Sequence, residues 1–241
     1  MDKKISILDW WCDRAWIKFG CWISAIMTSL ILLFWRKWST ELKITASIAA
    51  LIPIHVLEEW VFPGGFNYQY NLFLYKSDQP DRYPMSRFSD MITNLEATFG
   101  YVVITIIYAI IEDKGGYIPT GFIMGTIVFS FLEVIVHTSF GIMAYFHFKK
   151  EGKTTIYGPG SITAYSGFGV FGFILVYSLI DRINEKLLFW YDWAIMSGEL
   201  SFILVCCILV PENIIKKKDS KYFFKNNGYF DRFLDGKLKN K

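Results

Sequence analysis

The sequence predicts an all-α, polytopic membrane bundle of about six transmembrane helices with both termini in the cytoplasm, and three observations predict it. The first is composition: 53% of the 241 residues are hydrophobic and 19% aromatic, with a mean hydropathy of +0.32. These residues are gathered into runs long enough to cross a hydrocarbon core of about 30 Å, with short polar connections between them. The second is the placement of tryptophan: eight of the nine (all but Trp22) fall near the ends of those runs, where an amphipathic indole prefers the headgroup level. The third is the distribution of Lys and Arg. With both ends inside, the inner segments hold eighteen basic residues and the outer loops six, namely Arg36, Lys37, Lys43, Lys114, Arg182 and Lys186.

The expected spans are approximately 15–35, 42–62, 91–111, 117–146, 161–180 and 187–210. Residues 1–14 read as an interfacial N-terminal segment, with Ile5, Leu8 and Trp11 or Cys12 at helical spacing. Lys3 and Lys4 resemble the start of a signal peptide, but Asp9, Asp13, Arg14 and Lys18 interrupt any apolar core, so this segment is expected to be retained. Cys12, Cys21, Cys206 and Cys207 form no CxxC pair and lie in or beside apolar segments, which makes them small core residues. Residues 211–241 form a basic cytoplasmic tail. Its run Lys216-Lys217-Lys218 follows a final span, a pattern that fits anionic lipid headgroups and not nucleic acid. The stretch from Pro63 to Ser89 is too long for a minimal connection and is expected to cover a site on the cytoplasmic face.

The chemistry lies in the ionisable residues inside these spans. In the second span His55 is one helical turn from both Glu58 and Glu59, and because adjacent residues diverge by about 100°, only one of the two glutamates can aim where His55 does. The fourth span carries Glu133 and His137 one turn apart, the third carries Asn94 and Glu96 near its start, and Glu199 lies near the middle of the sixth. The topology brings the second, third and fourth spans' residues to the cytoplasmic half of the bilayer. Each charged side chain at the centre of a spanning helix costs roughly 2.5–3.5 kcal/mol, so a cation neutralises the group or some carboxyls stay protonated. The first alternative is a metal site of imidazole and carboxylate for zinc, iron or manganese, with His55, Glu59, Glu133 and His137 as ligands. Glu58 or Glu96 is then a further ligand or general base, and Tyr157 and Asn94 orient the substrate. The second alternative is a carboxylic acid that donates a proton to an apolar substrate. His147, at the end of the fourth span, reads as interfacial.

Tyr157-Gly158-Pro159-Gly160 precedes the fifth span as a turn. Together with His55-Val56-Leu57-Glu58-Glu59 and the later His137, it makes residues 50–180 resemble the HXXEE domain family. That resemblance implies a membrane-embedded protein, largely of bacterial plasma membranes, and implies no particular activity. The residues themselves support a metal-dependent membrane oxidoreductase or hydrolase acting on a lipid-like substrate. They leave open a metal-free isomerase or cyclase of an isoprenoid-like lipid, and a carrier or proton-coupled transporter. Three histidines are too few for the His-box desaturases and hydroxylases.

Overall fold

The computed structural model describes residues 6–238. Lys3, Lys4 and Ile5 of the sequence reading lie outside the described residues, as do Lys239 and Lys241 of the tail and the side chains of Arg14 and Lys237. Among the described residues six helices are long and apolar enough to cross a membrane: α1 (Trp16–Leu33), α2 (Thr40–Trp60), α3 (Arg87–Asp113), α4 (Thr120–Phe148), α5 (Ser161–Asn184) and α6 (Trp190–Ile215). Among the described residues there is no strand, so the molecule is an all-α membrane-type bundle.

The helix ends show why the observed bounds differ from the expected ones. α3 starts at Arg87 because Ser86 accepts from the Ser89 amide while the Ser89 hydroxyl accepts from Ser86, a reciprocal cap four residues ahead of the apolar run. α6 runs past Pro211, where a stop was expected. A π-helical stretch, Phe202–Leu209, loosens the ladder just before it, and the proline then sits in the first turn of Val210–Ile215, where its missing N–H does no harm. The N-terminal segment is helical from Ile7 and passes through a π turn, Trp11–Ala15, directly into α1.

α2 packs against α3 and α5, α4 against α5 and α6, and α3 against α6, so these five helices close a ring while α1 leans on α2 from outside. α4 and α6 approach closely through Gly121 and Gly125, one turn apart. A Cβ on the first would fall on the Asp192 backbone and on the second on the Glu199 carboxylate, a small-xxx-small contact. Between α2 and α3, a short helix, Phe66–Gln69, dips back toward the bundle. Its loop is clipped by the fully buried Asn71, which donates to the Pro80 and Met85 carbonyls and accepts from the Met85 amide.

The tail is a docked segment as well as a charged one. Phe233 stacks on Phe148 and Phe230 packs tilted against it, the Tyr229 amide donates to the Gly64 carbonyl, and buried Lys153 donates to both the Tyr157 carbonyl and the Tyr229 hydroxyl. With both ends inside, reporter fusions after residue 241 and near Lys76 are expected to read cytoplasm and a fusion at Gly115 the outer side. The reverse pattern would move the polar cluster to the outer leaflet.

Candidate metal centre

His55 and Glu59 lie one turn apart on α2, and Glu133 and His137 one turn apart on α4. The ring closure turns the two pairs toward each other inside the bundle. His55 Nε2 and His137 Nε2 are 3.1 Å apart. One Glu59 oxygen lies 3.4 Å from the first and 3.5 Å from the second, and one Glu133 oxygen lies 3.6 Å from both. Both histidines and Glu59 are buried, whereas the Glu133 side chain keeps 26% of its surface accessible. Phe66 packs 5.1 Å from the His137 ring and Phe168 edge-on 5.3 Å from His55, so apolar rings wall the group.

The outer hydrogen bonds decide which ring nitrogens carry protons. His137 Nδ1 faces the Pro159 carbonyl at 3.0 Å, an acceptor only, so Nδ1–H donates and, in the neutral ring, Nε2 carries the lone pair. His55 Nδ1 lies 2.7 Å from the Thr163 hydroxyl, which has two acceptors for its single proton, the Glu58 carboxylate at 2.7 Å and the Gly160 carbonyl at 3.2 Å; donating to either leaves its oxygen to accept from His55 Nδ1–H. With both rings neutral, two Nε2 lone pairs therefore face each other with two carboxylates beside them. That arrangement needs a shared proton or a cation. Ligand atoms held about 2.0–2.1 Å from a tetrahedral metal lie about 3.3–3.4 Å apart, and the separations of 3.1, 3.6 and 3.6 Å among His55 Nε2, His137 Nε2 and the Glu133 oxygen bracket that edge. His55, Glu133 and His137 together offer three ligand atoms within 4.8 Å of one another, a group able to hold a metal ion.

The YGPG turn explains itself at this point. Gly160 has φ +88°, and a Cβ there would lie 2.1 Å from His137 Cε1, so only glycine lets the backbone pass against the ring while Pro159 offers its carbonyl to Nδ1. Gly160 also starts α5, whose first amides are capped from another helix. Glu58 accepts from the Ile162 and Thr163 amides, from the Thr163 hydroxyl and from the Tyr157 hydroxyl. A π-helical turn, Ala164–Gly169, follows directly and sets Phe168 against His55.

Several expected roles change accordingly. Glu58 was expected as ligand or general base, but its two oxygens take four hydrogen bonds, which make it the anchor of α5 and, through Thr163, the positioner of His55. Tyr157 donates its hydroxyl to Glu58 and stacks edge-on against Tyr229 instead of reaching the histidines. Burial, then the Glu58 carboxylate, push that hydroxyl well above the usual tyrosine range, so it stays a donor. Asn94 donates to Asp90, which also accepts from the Trp60 indole. Glu96 is exposed on another face of α3, within electrostatic reach of Cys207 on α6. His147 sits in the last turn of α4, edge-on to Phe73. The sequence reading missed Thr163. A hydroxyl residue in the first turn of a helix that follows a Pro-Gly turn was its only signal.

The fold and site define a class: a multi-span helical bundle with a buried His/Glu group. Comparison with protein-family models, with curated proteins and with solved structures finds no match to this chain.

Proposed function

We propose that the protein is a metal-dependent membrane enzyme acting on a lipid or other apolar substrate, and that it belongs with the HXXEE domain family, whose three motif elements converge on one site here. The observation that carries the metal reading is the pair of Nε2 atoms 3.1 Å apart beside two carboxylates. A two-histidine, one-glutamate set with a position left for water suits zinc and metal-assisted hydrolysis, and the same donors suit iron for oxidation. His55, His137 and Glu133 hold the ion. Bound metal supplies an activated water or a polarised carbonyl. Glu59, whose oxygen lies beside both imidazoles, would accept a proton from such a water. Thr163 and Pro159 hold the two rings in the tautomer that coordinates, the role usual for partners of metal-ligating histidines. The accessible side of Glu133 and the Phe66 and Phe168 rings support an apolar substrate arriving from the bilayer.

The 3.1 Å nitrogen separation also suits one shared proton, which favours the acid–base isomerase or cyclase as the second reading. Elemental analysis of detergent-purified protein separates the two. About one zinc, iron or manganese ion per chain is expected for a single set of this kind. Glu133→Gln is expected to keep helicity and melting temperature near wild type while metal content falls well below stoichiometry. Wild-type protein that is folded yet metal-free, and unchanged in its metal content by the substitution, would overturn the metal reading.

A further inference from the structure

Beyond the metal centre, α4 carries a second polar feature that the proposed chemistry does not use. Thr126, Ser130, Glu133 and His137 recur at spacings of four, three and four, which confines them to a stripe about 60° wide on a helix of 3.6 residues per turn. Thr126 and Ser130 are fully buried. At the outer end of the stripe one oxygen of Glu199 on α6 accepts from the Thr126 hydroxyl and from the Tyr101 hydroxyl of α3, each at 3.0 Å. The other Glu199 oxygen is buried against Gly125 with no partner, and the buried Ser130 hydroxyl, one turn along the stripe toward the metal centre, has none either. Among the described residues, the titratable side chains that face Glu199 are Tyr101 and Tyr108 of α3, and with the Thr126 hydroxyl these are neutral groups with no cation against the carboxyl. Tyr101 in turn lies within electrostatic reach of Glu133. An acid without a counter-ion deep in a spanning helix is costly and marks a functional path by default.

We propose that this stripe is a proton path joining Glu199 to the His/Glu centre, with Thr126 and Ser130 as hydroxyl steps and water between them. One proton leaves the Glu199 carboxyl, each hydroxyl or water takes one and gives one up, and one proton arrives at the reacting atom beside Glu133. Glu199 is left as a carboxylate, and the reverse movement restores it. Metal-assisted hydrolysis, which must protonate its leaving group, would use that proton, and so would an acid–base isomerase. The path therefore stands apart from the question of metal.

Infrared spectroscopy of the reconstituted full-length protein tests it without a substrate, in metal-free and metal-loaded samples alike. A protonated-carboxyl C=O band is expected in wild type and lost in Glu199→Gln. On transfer to deuterated buffer that band shifts down, and Ser130→Ala is expected to slow the shift roughly tenfold or more, because breaking the chain leaves only structural opening as a route for exchange. Thr126→Val, which removes one of two donors to Glu199, should move the band to higher frequency, and identifies it if Glu199→Gln does not assemble. An identical band in wild type and Glu199→Gln, or in Thr126→Val, would mean that Glu199 carries no proton. Exchange at the wild-type rate in Ser130→Ala would mean that the stripe is not the route. Either result overturns the proposal.

Discussion

Replacing Gly160 with alanine is expected to destabilise the protein by roughly 3 kcal/mol or more and to weaken metal binding about 10–100-fold. Two penalties combine. An L side chain at φ +88° costs about 1–2 kcal/mol in backbone energy alone. The new Cβ would also meet the His137 ring at 2.1, 2.7 and 2.9 Å from three of its atoms, so the ring must turn away from the Pro159 carbonyl and its Nε2 away from His55. Gly152 supplies the control: its φ is +94°, yet nothing lies within 4 Å of a Cβ built there. Gly152→Ala should therefore show the backbone penalty and leave metal binding intact. Thermal melts and metal titrations of the two variants measure the contact separately from the backbone. Equal loss in both would mean that the approach of Gly160 to His137 has no consequence for the site.

Glu58→Ala is expected to cost about 3–5 kcal/mol, because several buried donors lose their acceptor at once in surroundings where water does not replace it. The Ile162 and Thr163 amides, the Thr163 hydroxyl and the Tyr157 hydroxyl all depend on this carboxylate. Glu58→Gln keeps one good acceptor and sets an amide NH2 against the remaining donors, so an intermediate loss is expected. Unfolding in denaturing detergent followed by circular dichroism gives the order wild type, Gln, Ala. A glutamate that served only as a catalytic base would leave all three alike in stability, which would remove the anchoring role assigned to it here.

The spans were legible because each is a long apolar run, and their order fixes depth. Depth alone brought His55, Glu59, Glu133 and His137 to one level, and the one-turn spacing within each pair put each His and Glu on a common face. Azimuth was harder to read. On α3 the inward face is the one that carries Asp90, Thr98, Tyr101 and Thr105, all buried, and Glu96 is about 200° from Asn94 around the helix, so equal depth did not bring it to the site. The choice between Glu58 and Glu59 was open for the same reason. Their separation of about 100° implied that only one joins His55, and packing against α5 decides which. Thr163 was hidden because its role depends on contacts with residues over 100 positions away.

The wide sequence separation of Glu58 from its partners bears on biogenesis. The residues that satisfy it follow 99 to 105 positions later, and the polar groups of α4 and α5 that meet His55 follow 78 to 108 positions later. α2 thus enters the membrane with His55, Glu58 and Glu59 all awaiting helices that have not yet been synthesised, and the tail that braces Lys153 and Tyr157 comes last of all. Insertion and assembly are therefore separated in time: the buried polar groups of α2 gain these partners only when α4 and α5 arrive. Chains cut short between α2 and α5 carry an uncompensated polar helix, the kind of segment that membrane quality-control proteases extract.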